Sequence, residues 1–147
     1  MHTFFDSVYG WEYSLLEPRD FWDHVPTSWV AFYHFFNAPI SSEPESKHSP
    51  LRVIKQLATK NDFIAFKLDV DTPTVEIPIA LALLEPEYSN LVDEFFFELH
   101  FRDEVMMKCA WGDKIPDEHM GLKLNRRGAL ELFQKYRRAG IRSHFWP

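Results

Sequence analysis

Apolar positions along this chain fall into two rhythms, short dense runs and helically spaced repeats, and the two alternate. Residues 4–12 form an aromatic run that closes on Glu12, which predicts a strand. The polar stretch 14–20 then leads toward a short amphipathic helix with Phe21, Trp22 and Val25 on its buried side. Residues 29–36 are dense in aromatic and β-branched side chains without a helix-start signal. They predict a second strand that stops at Asn37, Ala38 and Pro39, before a polar loop over 41–49.

Ser49 directly precedes Pro50, a cap before proline at the first helical position, and Leu51, Ile54, Leu57 and Ala58 follow at helical spacing to about Lys60. Residues 62–69 carry apolar side chains on both parities, the pattern of a strand covered on both faces in a parallel sheet. A helix over about 74–84 follows, with Val75, Ile79 and Leu83 on its apolar side and Pro78 in its first turn or at a kink. Another apolar run spans 91–101. Asn125 reads as the cap of a last helix with Leu130, Phe133 and Tyr136 as its stripe, and Gly140 ends it before a strand over 141–146.

Strand and helix alternate through most of the chain, so the expected class is α/β, an open, mostly parallel sheet in one domain spanning residues 1–147. Residues 103–123 carry no clear period and are expected to form an irregular insertion. No run approaches the roughly 18 apolar residues of a membrane helix, and no secretory signal pattern opens the chain, so the expectation is a soluble, cytoplasmic protein without a membrane partner. Cys109 is the single cysteine, which excludes an intramolecular disulfide and a thiolate metal cluster. The net charge of -6 argues against nucleic acid as a partner. The basic cluster Arg126, Arg127, Lys135, Arg137 and Arg138 is read as the solvated face of the last helix.

In open α/β sheets ligands bind at the carboxyl ends of the strands, so polar residues there are the candidates. Glu12 closes the first strand and Asn37 the second, Asp69 and Asp71 close the third, and Glu98 and His100 lie late in the fourth. Side chains alternate with period two, which puts Asp69 with Asp71, and Glu98 with His100, on one side of their strands. If those strands are neighbours, three carboxylates and an imidazole converge, able to serve as a base or to face a polar substrate. Oxygen and nitrogen donors of this kind also suit a hard or borderline divalent cation, although no metal site is assigned. The plain alternative is that Asp71 caps a helix and that Glu98 and His100 pair with each other or with backbone. His34 is expected to be a hydrogen-bonded core histidine, and Phe4, Phe5, Trp11, Phe35 and Phe36 are expected in the core.

The run Phe63-Ile64-Ala65-Phe66-Lys67-Leu68-Asp69-Val70-Asp71, Glu76 in the next helix, and Phe95-Phe96-Phe97-Glu98-Leu99-His100 resembles the second half of FkbM-type S-adenosylmethionine-dependent methyltransferases. Upstream, Val8-Tyr9-Gly10-Trp11-Glu12 is similar to that family's acidic-ended second strand, and Phe35-Phe36-Asn37-Ala38-Pro39-Ile40-Ser41 to its third strand and turn. The resemblance covers roughly residues 5–101. It implies a Rossmann-like methyltransferase sheet lacking its first strand–helix unit, with the glycine-rich cofactor turn absent. It also implies S-adenosylmethionine as cofactor, bound through Glu12 and Asn37. Asp69, Asp71 and His100 would then be catalytic, and Glu98 would bind a small-molecule acceptor. Asp71 stands where the family often has Glu, and Thr72-Pro73 replaces its usual Gly.

The missing strand leaves three outcomes: a fragment of a longer protein, direct pairing of the flanking strands, or a partner that supplies the strand. The leading expectation is a methyltransferase-like domain whose full-length form methylates a small molecule, this chain alone being inactive. The competing one is a noncatalytic interaction protein that self-associates, and a metal-dependent hydrolase stands third.

Overall fold

The computed structural model describes residues 5–108, 111 and 114–146, so Phe4 and Cys109 lie outside the described residues. The chain is α/β with mostly parallel sheets, two of them parallel and one antiparallel. It forms two compact units, Met1–Pro50 and Leu51–Pro147.

In the first unit β1 (Val8–Trp11) pairs in parallel with β2 (Tyr33–Phe36), in register from Val8 opposite Tyr33 to Trp11 opposite Phe36. A parallel pair requires a crossover, and α1 (Pro18–His24) lies in it. Rings in register stack across the pair, Tyr9 on His34 at 4.5 Å and Trp11 on Phe36 at 5.0 Å, while Phe21 of α1 stacks on Phe35 at 3.6 Å. Both strands are shorter than their apolar runs. Residues 26–32 are taken up by turns, in which the Trp29 amide donates to the Pro26 carbonyl and the Phe32 amide to the Trp29 carbonyl. His34 is exposed and ring-stacked, not a core histidine, because odd and even positions of so short a sheet cannot both be covered. Phe5 is likewise exposed, Trp11, Phe35 and Phe36 are only half-buried, and no residue of α1 is buried.

The second unit is built on a three-stranded parallel sheet in the order β3 (Ala65–Leu68), β4 (Glu94–Phe97), β7 (Arg142–Phe145). Partners in register point the same way, so Phe66, Phe95 and Ser143 share one side with Leu68, Phe97 and Phe145. That side meets α6 (Arg126–Arg138): Phe95 packs edge-on to Tyr136, and Phe133 lies against Phe97 and Phe145. The opposite side carries Ala65, Lys67, Phe96, Arg142 and His144 and is half-open. The sheet is therefore covered chiefly on one face, not on both as the continuous apolar run in β3 predicts. Lys67 breaks that run, pairing with Asp69 and lying 4.4 Å over the Trp146 ring.

Helix α2 (Pro50–Leu57) begins at the predicted proline, but Ser49 does not cap it. The Ser49 hydroxyl is buried without a hydrogen-bond partner among the described residues. Leu57, its last residue, is exposed. Helix α3 (Pro73–Ala82) takes Pro73 at its start and accommodates Pro78 in its interior, later than a first-turn position. A short α4 (Pro86–Ser89), absent from the sequence reading, follows. In α6 the Asn125 side chain accepts the Gly128 amide at 2.9 Å, as a cap should. The buried stripe is Ala129, Leu132, Phe133 and Tyr136, whereas Leu130, predicted to be in it, is 52% exposed. The stripe follows i, i+3, i+4, i+7, and Leu130 falls off it by one residue.

At the C-terminal end of α6, Gly140 adopts a φ of 94°. The Ile141 amide then donates to the Tyr136 carbonyl and the Gly140 amide to the Arg137 carbonyl, the paired closure that a left-handed residue permits. Within 103–123 lie α5 (Glu104–Lys108) and a two-residue antiparallel pair, β5 (Glu118–His119) with β6 (Leu122–Lys123). No described helix is long and apolar enough to cross a membrane.

Candidate functional site

Because Leu68 stands opposite Phe97, the next residues, Asp69 and Glu98, leave the sheet side by side at its carboxyl edge. Their carboxyl groups share a hydrogen bond, which pushes Glu98 up to about 7 and, with the Lys67 ammonium, pulls Asp69 down. Glu98 thus holds the shared proton and Asp69 carries the charge, matched by Lys67 Nζ at 2.6 Å.

Two residues further along each strand, Asp71 and His100 follow on the same side. Asp71 sits in the left-handed region at a φ of 54°, where the chain turns from β3 into α3. An aspartate tolerates this conformation better than most side chains. His100 Nε2 lies 3.6 Å from Asp71 Oδ1 and 3.8 Å from Glu98 Oε1, outside direct hydrogen-bond distance. The ring is nearly fully buried, at 3% exposed, and Trp111 lies against it at 3.7 Å. Burial holds its pKa below 6.5 against the pull of Asp71 and Asp69, so the imidazole is neutral at pH 7. Its Nδ1 is buried with no hydrogen-bond partner among the described residues.

Glu76 completes the turn from inside. Its Oε1 accepts the Val70 amide at 3.1 Å, and it is 1% exposed, which drives its pKa up to about 7. Glu76 has no assigned role in the resemblance, although an acid in the first turn of an otherwise apolar helix is a visible signal. Trp111 falls in the segment without a readable period, and nothing in the sequence ties it to His100.

The four candidates Asp69, Asp71, Glu98 and His100 are therefore brought together in the second unit. Glu12 and Asn37 meet each other in the first. Asn37 Nδ2 donates to the carbonyls of Glu12 and Ser14 at 3.2 and 2.7 Å, and its Oδ1 accepts the Leu16 amide at 2.8 Å. Glu12 Oε1 accepts the Ser14 amide at 2.7 Å. The Asn37 amide is thus occupied in shaping the loop that follows β1, and Glu12 Oε1 in closing its first turn.

No protein-family model, curated protein or solved structure matches this chain.

Proposed function

We propose that this is a methyltransferase-like domain that moves a methyl group from S-adenosylmethionine to a hydroxyl of a small molecule. The observation that carries the reading is the convergence of Asp69, Asp71, Glu98 and His100 at the carboxyl ends of neighbouring parallel strands, where open sheets receive ligands. S-adenosylmethionine, once bound, would supply the methyl on its sulfonium sulfur, with transfer to the acceptor oxygen leaving S-adenosylhomocysteine. The hydroxyl proton passes to the neutral His100 imidazole, whose charged form Asp71 stabilises from 3.6 Å. Asp69 keeps Glu98 protonated by sharing its proton, and the other Glu98 carboxyl oxygen is able to accept a hydrogen bond from the acceptor. In the first unit, Glu12 is by the resemblance a ribose-binding acid, and Asn37 positions the loop that carries it.

Calorimetric titration with S-adenosylhomocysteine, beside a circular dichroism check of folding, tests the reading. Saturable micromolar binding, weakened at least tenfold by Glu12→Ala, is expected. A well-folded sample that gives no heat overturns it and leaves the noncatalytic interaction protein, for which the half-open face bearing Phe96, His144 and Trp146 speaks.

A further inference from the structure

We propose that Asp71, Glu98 and His100 bind one divalent transition cation, of the manganese or zinc type. The inference rests on reading this cluster as the reactive centre, and it names what the centre holds.

Three observations carry it. The first is spacing. One ligand atom from each residue lies within 4.8 Å of the other two, and the imidazole nitrogen stands 3.6 and 3.8 Å from the two carboxylate oxygens. These gaps are too long for hydrogen bonds. Around an ion with bonds of about 2.0–2.2 Å, neighbouring ligand atoms are about 3.0–3.5 Å apart. The two imidazole–carboxylate gaps therefore need to close by only a few tenths of an ångström, while the two carboxylate oxygens, within 4.8 Å of each other, need to approach by about an ångström or more at that limit. Asp71 can supply that movement, because its side chain is 70% exposed.

The second observation is His100 itself. A side chain 2% exposed directs Nε2 between two carboxylates and, among the described residues, makes no hydrogen bond through either nitrogen. The buried orphan is Nδ1, on the far side of the ring, whereas Nε2 faces the two carboxylates beyond hydrogen-bond distance and is free to offer its lone pair there. With the proton on Nδ1, Nε2 presents that lone pair toward Asp71 and Glu98.

The third is charge. Lys67 is bound by Asp69, and among the described residues neither Asp71 nor Glu98 has a Lys or Arg partner. A cation placed between them would balance the Asp71 carboxylate and take the place of the proton that Glu98 shares with Asp69. One imidazole with two carboxylates is a borderline donor set that suits manganese or zinc better than calcium, which prefers six to eight oxygens. With the ion bound, His100 would be a ligand in place of the base, and three protein ligands would leave a position open where an acceptor hydroxyl could bind and lose its proton to water more readily.

The test is titration of the chelator-treated protein with manganese(II), followed by calorimetry and by the loss of the free-ion electron paramagnetic resonance signal. One saturable site at micromolar concentration is expected. Asp71→Asn should weaken it at least tenfold, and asparagine keeps the left-handed turn, so this variant should fold. Glu98→Gln should do the same, while Asp62→Asn, at an exposed turn, should leave affinity unchanged. Absence of saturable binding, or binding indifferent to Asp71→Asn and Glu98→Gln, overturns the inference. Running the S-adenosylhomocysteine titration with and without manganese separates the two proposals. Cofactor binding without any metal site removes the cation and keeps the methyltransferase reading, and a metal site without cofactor binding does the reverse.

Discussion

The Tyr136 hydroxyl donates to the Ala80 carbonyl at 2.8 Å, joining the last turn of α6 to the last turn of α3. The Leu84 amide, which would ordinarily take that carbonyl, donates instead to Leu81, so Ala80 is one of the orphaned acceptors of a helix end. Tyr136→Phe keeps the ring against Phe95 and removes only the donor. A loss of about 1–3 kcal/mol in urea unfolding is expected, the cost of a buried unpaired group. A loss below about 0.3 kcal/mol would show that water reaches the carbonyl.

Glu76 makes stability depend on pH in an unusual direction. Its folded pKa of about 7 lies above the ordinary 4.5, so the folded state holds its proton more tightly than the unfolded chain does. The contribution is fully present below about 4.5 and is lost as pH rises through about 7, to a limit of about 3 kcal/mol. Glu76→Gln keeps an oxygen acceptor for the Val70 amide and cannot ionise. In metal-free protein its stability relative to wild type should therefore increase between pH 5 and pH 8, read from urea midpoints at the two values. A constant difference would mean that Glu76 titrates normally.

Gly128 is required by packing and not by its dihedral angles. A Cβ at that position would collide with the backbone carbonyl of Lys123, because the first turn of α6 lies directly on β6. Gly128→Ala should cost more than the roughly 1 kcal/mol that alanine gains by its helix propensity, giving a net loss in thermal midpoint. An unchanged or raised midpoint would show that β6 yields.

Much of the second unit is legible in the amino acids. Pro50, Asn125 and Gly140 mark helix ends by covalent geometry or by a side-chain acceptor, and the structure uses all three positions at those ends. The acid and imidazole cluster is legible in part, because parallel pairing brings Asp69 beside Glu98 at the ends of β3 and β4, whereas Asp71 and His100 join them only through the turns beyond the strands, Asp71 at a left-handed φ. What is not legible depends on neighbours. Whether a dense apolar run such as 62–69 is covered on one face or two is decided by the helices available to cover it. The phase of α6 is ambiguous by one residue between Leu130 and Leu132, and only the sheet it packs against decides. His34 lies in an aromatic run that looks internal, but a two-stranded sheet has too little width to bury it. The Asn37 bonds to the Glu12, Ser14 and Leu16 backbone join residues up to 25 positions apart, and no local pattern announces them.

All three strands of the larger sheet run the same way, so their two edges are unlike. At the amino edge the Arg142 guanidinium bonds Glu94, and the Asp93 carboxylate accepts the Ile64 amide, contacts that lock strand to strand. At the carboxyl edge stand the paired acids and the buried imidazole. Such a division separates what keeps the protein folded from what it does chemically. Over evolutionary time, changes at one edge can alter the reaction or abolish it while the other goes on specifying the same sheet, which lets a descendant keep the architecture and lose the ancestral activity.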